Sequence, residues 1–188
     1  MMEVRHLSKS FGSKQVLRDL SFQWAEGETL CLMAPSGSGK TTLMRILLGL
    51  EKKDAGEVVG LEGRRIGAVF QEDRLVEEMD PVSNIRLVNP QVPRVAVIAA
   101  MARMGLEGCA GQKVRELSGG MKRRVALLRA LLSDCEVLIM DEPFKGLDEE
   151  TREAVIRETI HLSSGKTVLL ITHDRAEAEQ MGGRIITL

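Results

Sequence analysis

The first stretch that could do chemistry is Gly37-Ser38-Gly39-Lys40-Thr41-Thr42. Glycines let a backbone approach phosphate oxygens with no Cβ in the way. A lysine brings a point charge to β- and γ-phosphates, and a threonine hydroxyl suits Mg²⁺. The eight-residue pattern of a glycine, four further residues and Gly-Lys-Thr runs from Ala34 to Thr41, with Ala34 in place of the first glycine. The amides that would cradle phosphate lie mainly between Gly37 and Thr42, downstream of that change. If Ala34 needs a positive φ, its Cβ costs about 1 kcal/mol but removes no donor. The candidate phosphate-contacting residues are therefore Ser36, Gly37, Ser38, Gly39, Lys40, Thr41 and Thr42.

Two more stretches carry charge in a telling pattern. Val137-Leu138-Ile139-Met140 is an apolar run that ends in Asp141 and Glu142. A buried strand ending in carboxylates delivers them where open α/β sheets bind ligands. Asp141 suits a hold on Mg²⁺, through water, and Glu142 suits polarising an attacking water. The plain alternative is an acidic turn before Pro143. In Leu117–Leu131, Ser118 reads as an N-cap, followed by Gly119, Gly120 and a helix that opens with Lys122, Arg123 and Arg124. Cations at a helix N-terminus oppose its dipole. Their placement points to an anion bound nearby; the alternative is a capped helix with a solvated basic face.

These stretches need elements to position them. The apolar runs at 29–34, 66–70, 137–140, 167–172 and 184–188 read as strands buried on both faces. Separated by helical patterns, they predict a mostly parallel sheet with helices on both sides. Leu43, Ile46, Leu47 and Leu50 give the helix after the first strand an apolar face. Residues 1–30 alternate around Gly12-Ser13 and predict an antiparallel hairpin. Residues 80–116 show no strand pattern; Pro93 marks a helix start and Gly105 its end.

With 188 residues and a net charge of −1, the chain suits one soluble domain and lacks the basic excess of a general nucleic-acid binder, so no nucleic-acid partner is expected. No apolar run approaches the roughly 20 residues of a membrane span, and the first ten residues have no apolar signal core. Cys31, Cys109 and Cys135 form no C-x-x-C pair and read as buried, reduced thiols.

Over nearly its whole length the chain resembles the nucleotide-binding domain of the ABC (ATP-binding cassette) ATPases. Leu117-Ser118-Gly119-Gly120 matches the family's signature tetrapeptide, between the phosphate loop and the acidic strand. Phe11 lies where the family places an aromatic that stacks on adenine. Gln71 in VFQEDRL matches the Q-loop glutamine, Asp148 in KGLD the D-loop, and His173 in ITHD the switch histidine. The chain departs from the family at Ala34, and at Met121, where glutamine often follows the tetrapeptide. The span from Gln71 to Leu117 is short, so the helical subdomain looks trimmed.

Each match has a plainer alternative. Phe11 could pack the hairpin, Gln71 could be an exposed strand end, and His173 could be structural. Asp148 is a good N-cap with Glu149 and Glu150 behind it. Asp174 with Glu177 makes a capping box.

The resemblance implies an α/β P-loop NTPase cassette in one domain, 1–188. Its antiparallel β part covers about 1–30, its core 29–72 and 133–188, and its helical subdomain about 73–132. It implies ATP and Mg²⁺ as cofactors, the metal held by Thr41, Gln71 and Asp141. Glu142, His173 and Gln71 would be catalytic. Phe11, the phosphate loop, Ser118, Gly119, Gly120 and Asp148 would bind nucleotide, with Ser118, Gly119 and Gly120 meeting it across a head-to-tail homodimer or paired cassette. The implied partners are transmembrane permease subunits, with the cassette peripheral on the cytoplasmic face of the membrane. VFQEDRL resembles the ATPases of importers for small organic anions such as sulfonates and nitrate. Two alternatives stand beside this. One is a soluble ABC ATPase acting on DNA, ribosomes or Fe–S assembly, although the long coiled coils and second cassette of such members are absent. The other is a binding module that no longer turns over, for which Ala34 is the evidence.

Overall fold

The structure is a computed structural model that describes residues 1–35 and 37–187. Strands β1 (Met2–Phe11) and β2 (Lys14–Trp24) form the expected hairpin. Phe11 pairs with Lys14 across Gly12-Ser13, and Gly12 takes φ 59°, which the tight turn requires.

The sheet of five strands contains β3 (Thr29–Met33), β5 (Ile66–Val69), β6 (Val137–Asp141), β7 (Thr167–Thr172) and β8 (Arg184–Thr187). All its pairings are parallel, in the order β5-β6-β7-β3-β8. Strands β3, β6 and β7 are buried on both faces. At the edge, β8 is not: Arg184 and Thr187 are exposed and the two isoleucines between them only half-buried. The expectation of burial on both faces fails there because one side of an edge strand has no neighbour to carry a covering helix.

A strand that the apolar runs did not reveal, β4 (Ala55–Val59), pairs antiparallel with β1. It extends the hairpin to three strands in the order β2-β1-β4. Its residues alternate exposed and half-buried, so it has no apolar run to detect.

Helix α1 (Lys40–Leu47) follows β3, and α2 (Pro81–Arg86), α3 (Arg94–Arg103) and α4 (Gly119–Leu131) lie between β5 and β6. Helix α5 (Glu149–Leu162) joins β6 to β7, and α6 (Arg175–Gln180) joins β7 to β8. Helix α1 is shorter than its apolar spacing predicts. Gly49 at φ 69° ends it: Leu50 N–H returns to Arg45 O at 2.8 Å and Gly49 N–H to Ile46 O at 3.0 Å. Leu50 is thereby thrown outward, 53% exposed, and leaves the apolar face.

The parallel sheet splits the core in two, as the period of two demands. Val137, Ile139, Leu169 and Ile171 face α1 and the antiparallel sheet, where Trp24 and Leu7 are buried. Leu138, Met140, Val168 and Leu170 face α2–α6. Among the described residues, no helix is long and apolar enough to cross a membrane.

Candidate nucleotide site

The residues singled out for chemistry converge at the C-terminal ends of the parallel strands, where such sheets open a ligand crevice. Strand β3 runs into the loop ahead of α1, β6 delivers Asp141 and Glu142, β7 delivers Thr172 and His173, and β5 leads to Gln71. A cleft of about 340 Å³ opens there, walled by Gly37, Gly39, Lys40, Thr41, Thr42, Gln71, Glu142 and His173. Ser36 lies outside the described residues.

The loop geometry suits an anion. Gly37 and Gly39 take φ 84° and 90°. A Cβ at Gly39 would sit 2.7 Å from Leu17 Cδ2 and 2.9 Å from Val16 O, so only glycine fits against the hairpin. Ser38 donates to Pro35 O at 2.8 Å, which closes the turn. Gly39 then caps α1 with no side chain, leaving the first-turn N–H groups directed at the cleft mouth.

Ala34 proves unstrained. Outside glycine, positive φ among the described residues occurs at His6, Asp19, Arg74 and Glu142, and not at Ala34. Its N–H donates to Thr172 O at 3.2 Å, its carbonyl accepts from Lys40 Nζ at 3.0 Å, and it is 2% exposed. The cost that a positive φ would impose is absent.

The charged centre is built around Glu142. Lys40 Nζ lies 2.7 Å from Glu142 Oε1, and His173 Nδ1 lies 2.8 Å from both carboxylate oxygens. Burial pushes the Glu142 carboxyl up, but Lys40 and His173 outweigh it and hold it below the usual carboxylate value. Its neighbour Asp141 moves the other way: burial raises it, and the Glu142 charge adds to this against the Thr41 hydrogen bond. Glu142 also takes φ 50°, a left-handed backbone that side chains with a Cβ adopt only when their surroundings impose it.

Thr41 Oγ1 donates to Asp141 Oδ2 at 3.2 Å, while Asp141 Oδ1 is buried with no hydrogen-bond partner. An unpaired buried carboxylate oxygen beside a hydroxyl fits a hard cation. Among the described residues there is no cluster of three acidic, histidine or cysteine side chains. Such a cation would take most of its ligands from water and phosphate, as Mg²⁺ does.

Other expected residues do not line the cleft, although Phe11 pairs with Lys14 at its rim. Phe11 is 49% exposed, with Lys9 Nζ 5.0 Å from its ring centroid. Ser118 accepts from Met121 N–H at 3.3 Å and caps α4; Asp148 accepts from Thr151 N–H at 3.0 Å and caps α5. Gly120 neighbours Leu147, so the two caps share one exposed surface. The basic residues at the start of α4 have partners within the chain. Arg123 points inward to backbone carbonyls, Arg124 donates to Met104 O and Gly105 O, and Lys122 pairs with Glu77.

The capping box also differs. Asp174 accepts from Ala176 and Glu177 N–H, but Glu177 does not reach back to Asp174. Instead Asp174 N–H donates to Thr172 Oγ1 at 3.1 Å, and Thr172 Oγ1 donates to Glu177 Oε2 at 2.7 Å. The hydroxyl relays the bond because Glu177 is buried beneath β7. Three cleft residues carried no signal in the sequence: Lys14 and Lys145, which add positive charge to the rim, and Val16, an apolar wall. An isolated lysine at a strand start or in a turn has no pattern that marks it.

The sequence profile of the family described as ABC transporter matches residues 17–145. Aliphatic sulfonates import ATP-binding protein SsuB 1 of Nocardia farcinica is 41% identical, over 100% of this chain and 77% of that protein. Sulfate/thiosulfate import ATP-binding protein CysA of Xanthomonas campestris pv. campestris is 36% identical over 100% of this chain, which spans 61% of that relative's length. Among solved structures, the dimeric ABC transporter cassette MJ0796 superposes with TM-score 0.87 at 29% identity, over 100% of this chain and 94% of that one.

Proposed function

The chain belongs to the ABC transporter family of ATP-binding cassettes, and from that premise we propose that it binds and hydrolyses ATP to energise a multi-subunit transporter. The observation that carries this reading is the Lys40–Glu142–His173 cluster at the mouth of the glycine loop.

In this reading the first-turn amides of α1 and Lys40 hold the β- and γ-phosphates. Thr41 and Asp141 would hold Mg²⁺, with Gln71 on the cleft wall as a third contact, and such an ion would supply charge neutralisation at the phosphate oxygens. Glu142 accepts the proton of the attacking water, being a carboxylate at neutral pH. His173, bonded to Glu142 through Nδ1, aims that carboxylate and contacts the γ-phosphate. Lys40 must release part of its grip on Glu142 as phosphate arrives. That release lets the Glu142 pKa climb back towards its ordinary value and makes it a better base.

Ser118, Gly119, Gly120 and Asp148 lie on an exposed surface away from this chain's own cleft. We place them on the nucleotide of a second copy in a head-to-tail dimer, with Phe11 against adenine. Dimeric cassettes among the solved relatives, one bound to ADP and Pi, support the pairing. Relatives named as import ATP-binding proteins support transmembrane permease partners and a position on the cytoplasmic face. Their cargoes differ, from sulfonates to spermidine/putrescine, so cargo choice rests with the permease.

The test is Glu142→Gln. Steady-state phosphate release should fall by at least about a hundredfold, while ATP-induced dimers become longer-lived in analytical ultracentrifugation. Hydrolysis at the parent rate would remove Glu142 from the mechanism.

A further inference from the structure

Arg123 is the fifth residue of α4 and is 5% exposed. A buried cation is ordinarily matched by a carboxylate. Here one carboxylate oxygen, Asp73 Oδ1, lies 3.3 Å away, and the remaining partners are backbone carbonyls from two separate strand ends. Nε donates to Pro143 O at 3.0 Å, and Nη2 donates to Asp141 O at 2.9 Å and Glu142 O at 2.7 Å. Nη1 donates to Phe70 O and, at 3.4 Å, to Gln71 O. The five fixed N–H groups of a guanidinium are the side-chain donor set that can span such a spread of acceptors.

The carbonyls that Arg123 grips include that of Glu142, the residue held at φ 50°. Such strain persists only where surrounding contacts over-determine the backbone. Arg123 supplies contacts at three successive carbonyls, Asp141, Glu142 and Pro143. We propose that Arg123 is a positioning residue: it holds the 141–143 turn in its strained form so that Glu142 faces the cleft, and it ties this turn to the Gln71 loop and to α4. The role rests on the ATPase reading for its consequence, but not for its geometry. A displacement of α4 must then move the turn that carries Glu142, because one rigid fork joins them. Arg123→Gln keeps two donors, which cannot reach both strand ends. Arg123→Lys keeps the charge, with donors radiating from one point.

The experiment uses the full chain with both variants and four readouts: Mg-ATP hydrolysis, affinity for a fluorescent ATP analogue, thermal midpoint, and hydrogen exchange at 141–145. In that turn Glu142 N–H donates to Ile171 O at 2.8 Å and Lys145 N–H to Glu142 O at 3.3 Å. Arg123→Gln should lower kcat about tenfold or more while KM stays within about threefold. Exchange at Glu142 and Lys145 should quicken relative to the amides of β3. Arg123→Lys, the variant that keeps the buried charge, should fall between parent and Arg123→Gln. In a Glu142→Gln background Arg123→Gln should lower the residual rate no further, because it acts through Glu142. The proposal is overturned if kcat of a folded Arg123→Gln chain stays within about twofold of the parent. It is overturned equally if the loss is the same with and without Glu142. A parent chain with no turnover, but with faster exchange at the turn in Arg123→Gln, would sink the ATPase reading and leave the positioning role standing.

Discussion

Ala34→Gly restores the residue that the phosphate-loop pattern asks for, and the structure says it makes the protein worse. Ala34 has no positive φ to relieve, and its methyl is buried at the end of β3, with the residue 2% exposed. Removing one buried methyl loses about 0.8 kcal/mol of transfer free energy. Glycine also gives the unfolded chain more freedom, a further loss of about 0.4–1 kcal/mol at a position where alanine fits unstrained. The sum is about 1–2 kcal/mol, which for a chain of this length lowers the thermal midpoint by about 2–8 °C. The carbonyl of residue 34 still accepts from Lys40, so ATP affinity should stay within about threefold of the parent, a change below about 0.7 kcal/mol. Two measurements on purified protein check this: a nucleotide-free thermal melt and a fluorescent-ATP titration. A higher midpoint, or an affinity gain above about tenfold, would show that Ala34 is strained after all and refute the reasoning.

Gly39→Ala should behave in the opposite way to an ordinary glycine replacement. Its Cβ would meet Val16 O and Leu17 Cδ2 below 3 Å at φ 90°, so stability should drop by at least about 2 kcal/mol and nucleotide binding should weaken sharply in the same titration. Glu177→Gln tests the buried carboxyl beneath β7. Burial holds Glu177 above its ordinary 4.5, with Asp174 and Glu142 adding to the shift and the Thr172 hydrogen bond and Arg152 opposing it. A carboxyl with a raised folded pKa contributes most below its unfolded pKa, and that contribution is lost as pH rises through the folded value. Glutamine keeps the bond from Thr172 and never ionises. The variant's midpoint should therefore match the parent near pH 4.5 and exceed it at neutral pH; a uniform loss across pH would count against this account.

What the sequence made legible follows from where single residues decide structure. Five apolar runs marked the parallel strands because three of them are covered on both sides, and the edge strand β8 kept enough of that character to be found. Gly12-Ser13 marked the hairpin because a two-residue turn demands a positive φ. Strand β4 escaped because it is half-exposed and is held by pairing with β1, a long-range fact with no local trace. The same reason hid the fate of Arg123. Its position at a helix start suggested an exposed charge, yet its partners are Phe70, Gln71, Asp141, Glu142 and Pro143, distant in sequence. Thr172 was invisible for another reason. A threonine ending a strand is unremarkable until Glu177, Asp174 and Glu142 are seen around it.

The adjacent carboxylates Asp141 and Glu142 share one strand end but are driven apart by what lies beside them. Asp141 is desolvated, with one oxygen bonded to Thr41 and the other to nothing, and burial raises its pKa above the ordinary carboxylate value. Glu142 already has its cation, Lys40, and stays ionised. Environments that push two carboxyls in opposite directions assign them different work. On the proposed reading the desolvated one would hold the metal and the paired one would act as base once released. On the proposed reading the polyphosphate of ATP would satisfy both demands at once, bringing Mg²⁺ to Asp141 and competing with Glu142 for Lys40. An anion without a metal meets only the second, and a metal without the anion only the first. On that reading the arrangement would select for the complex of the two, through residues 40, 41, 141 and 142 with no help from the position held by Ala34.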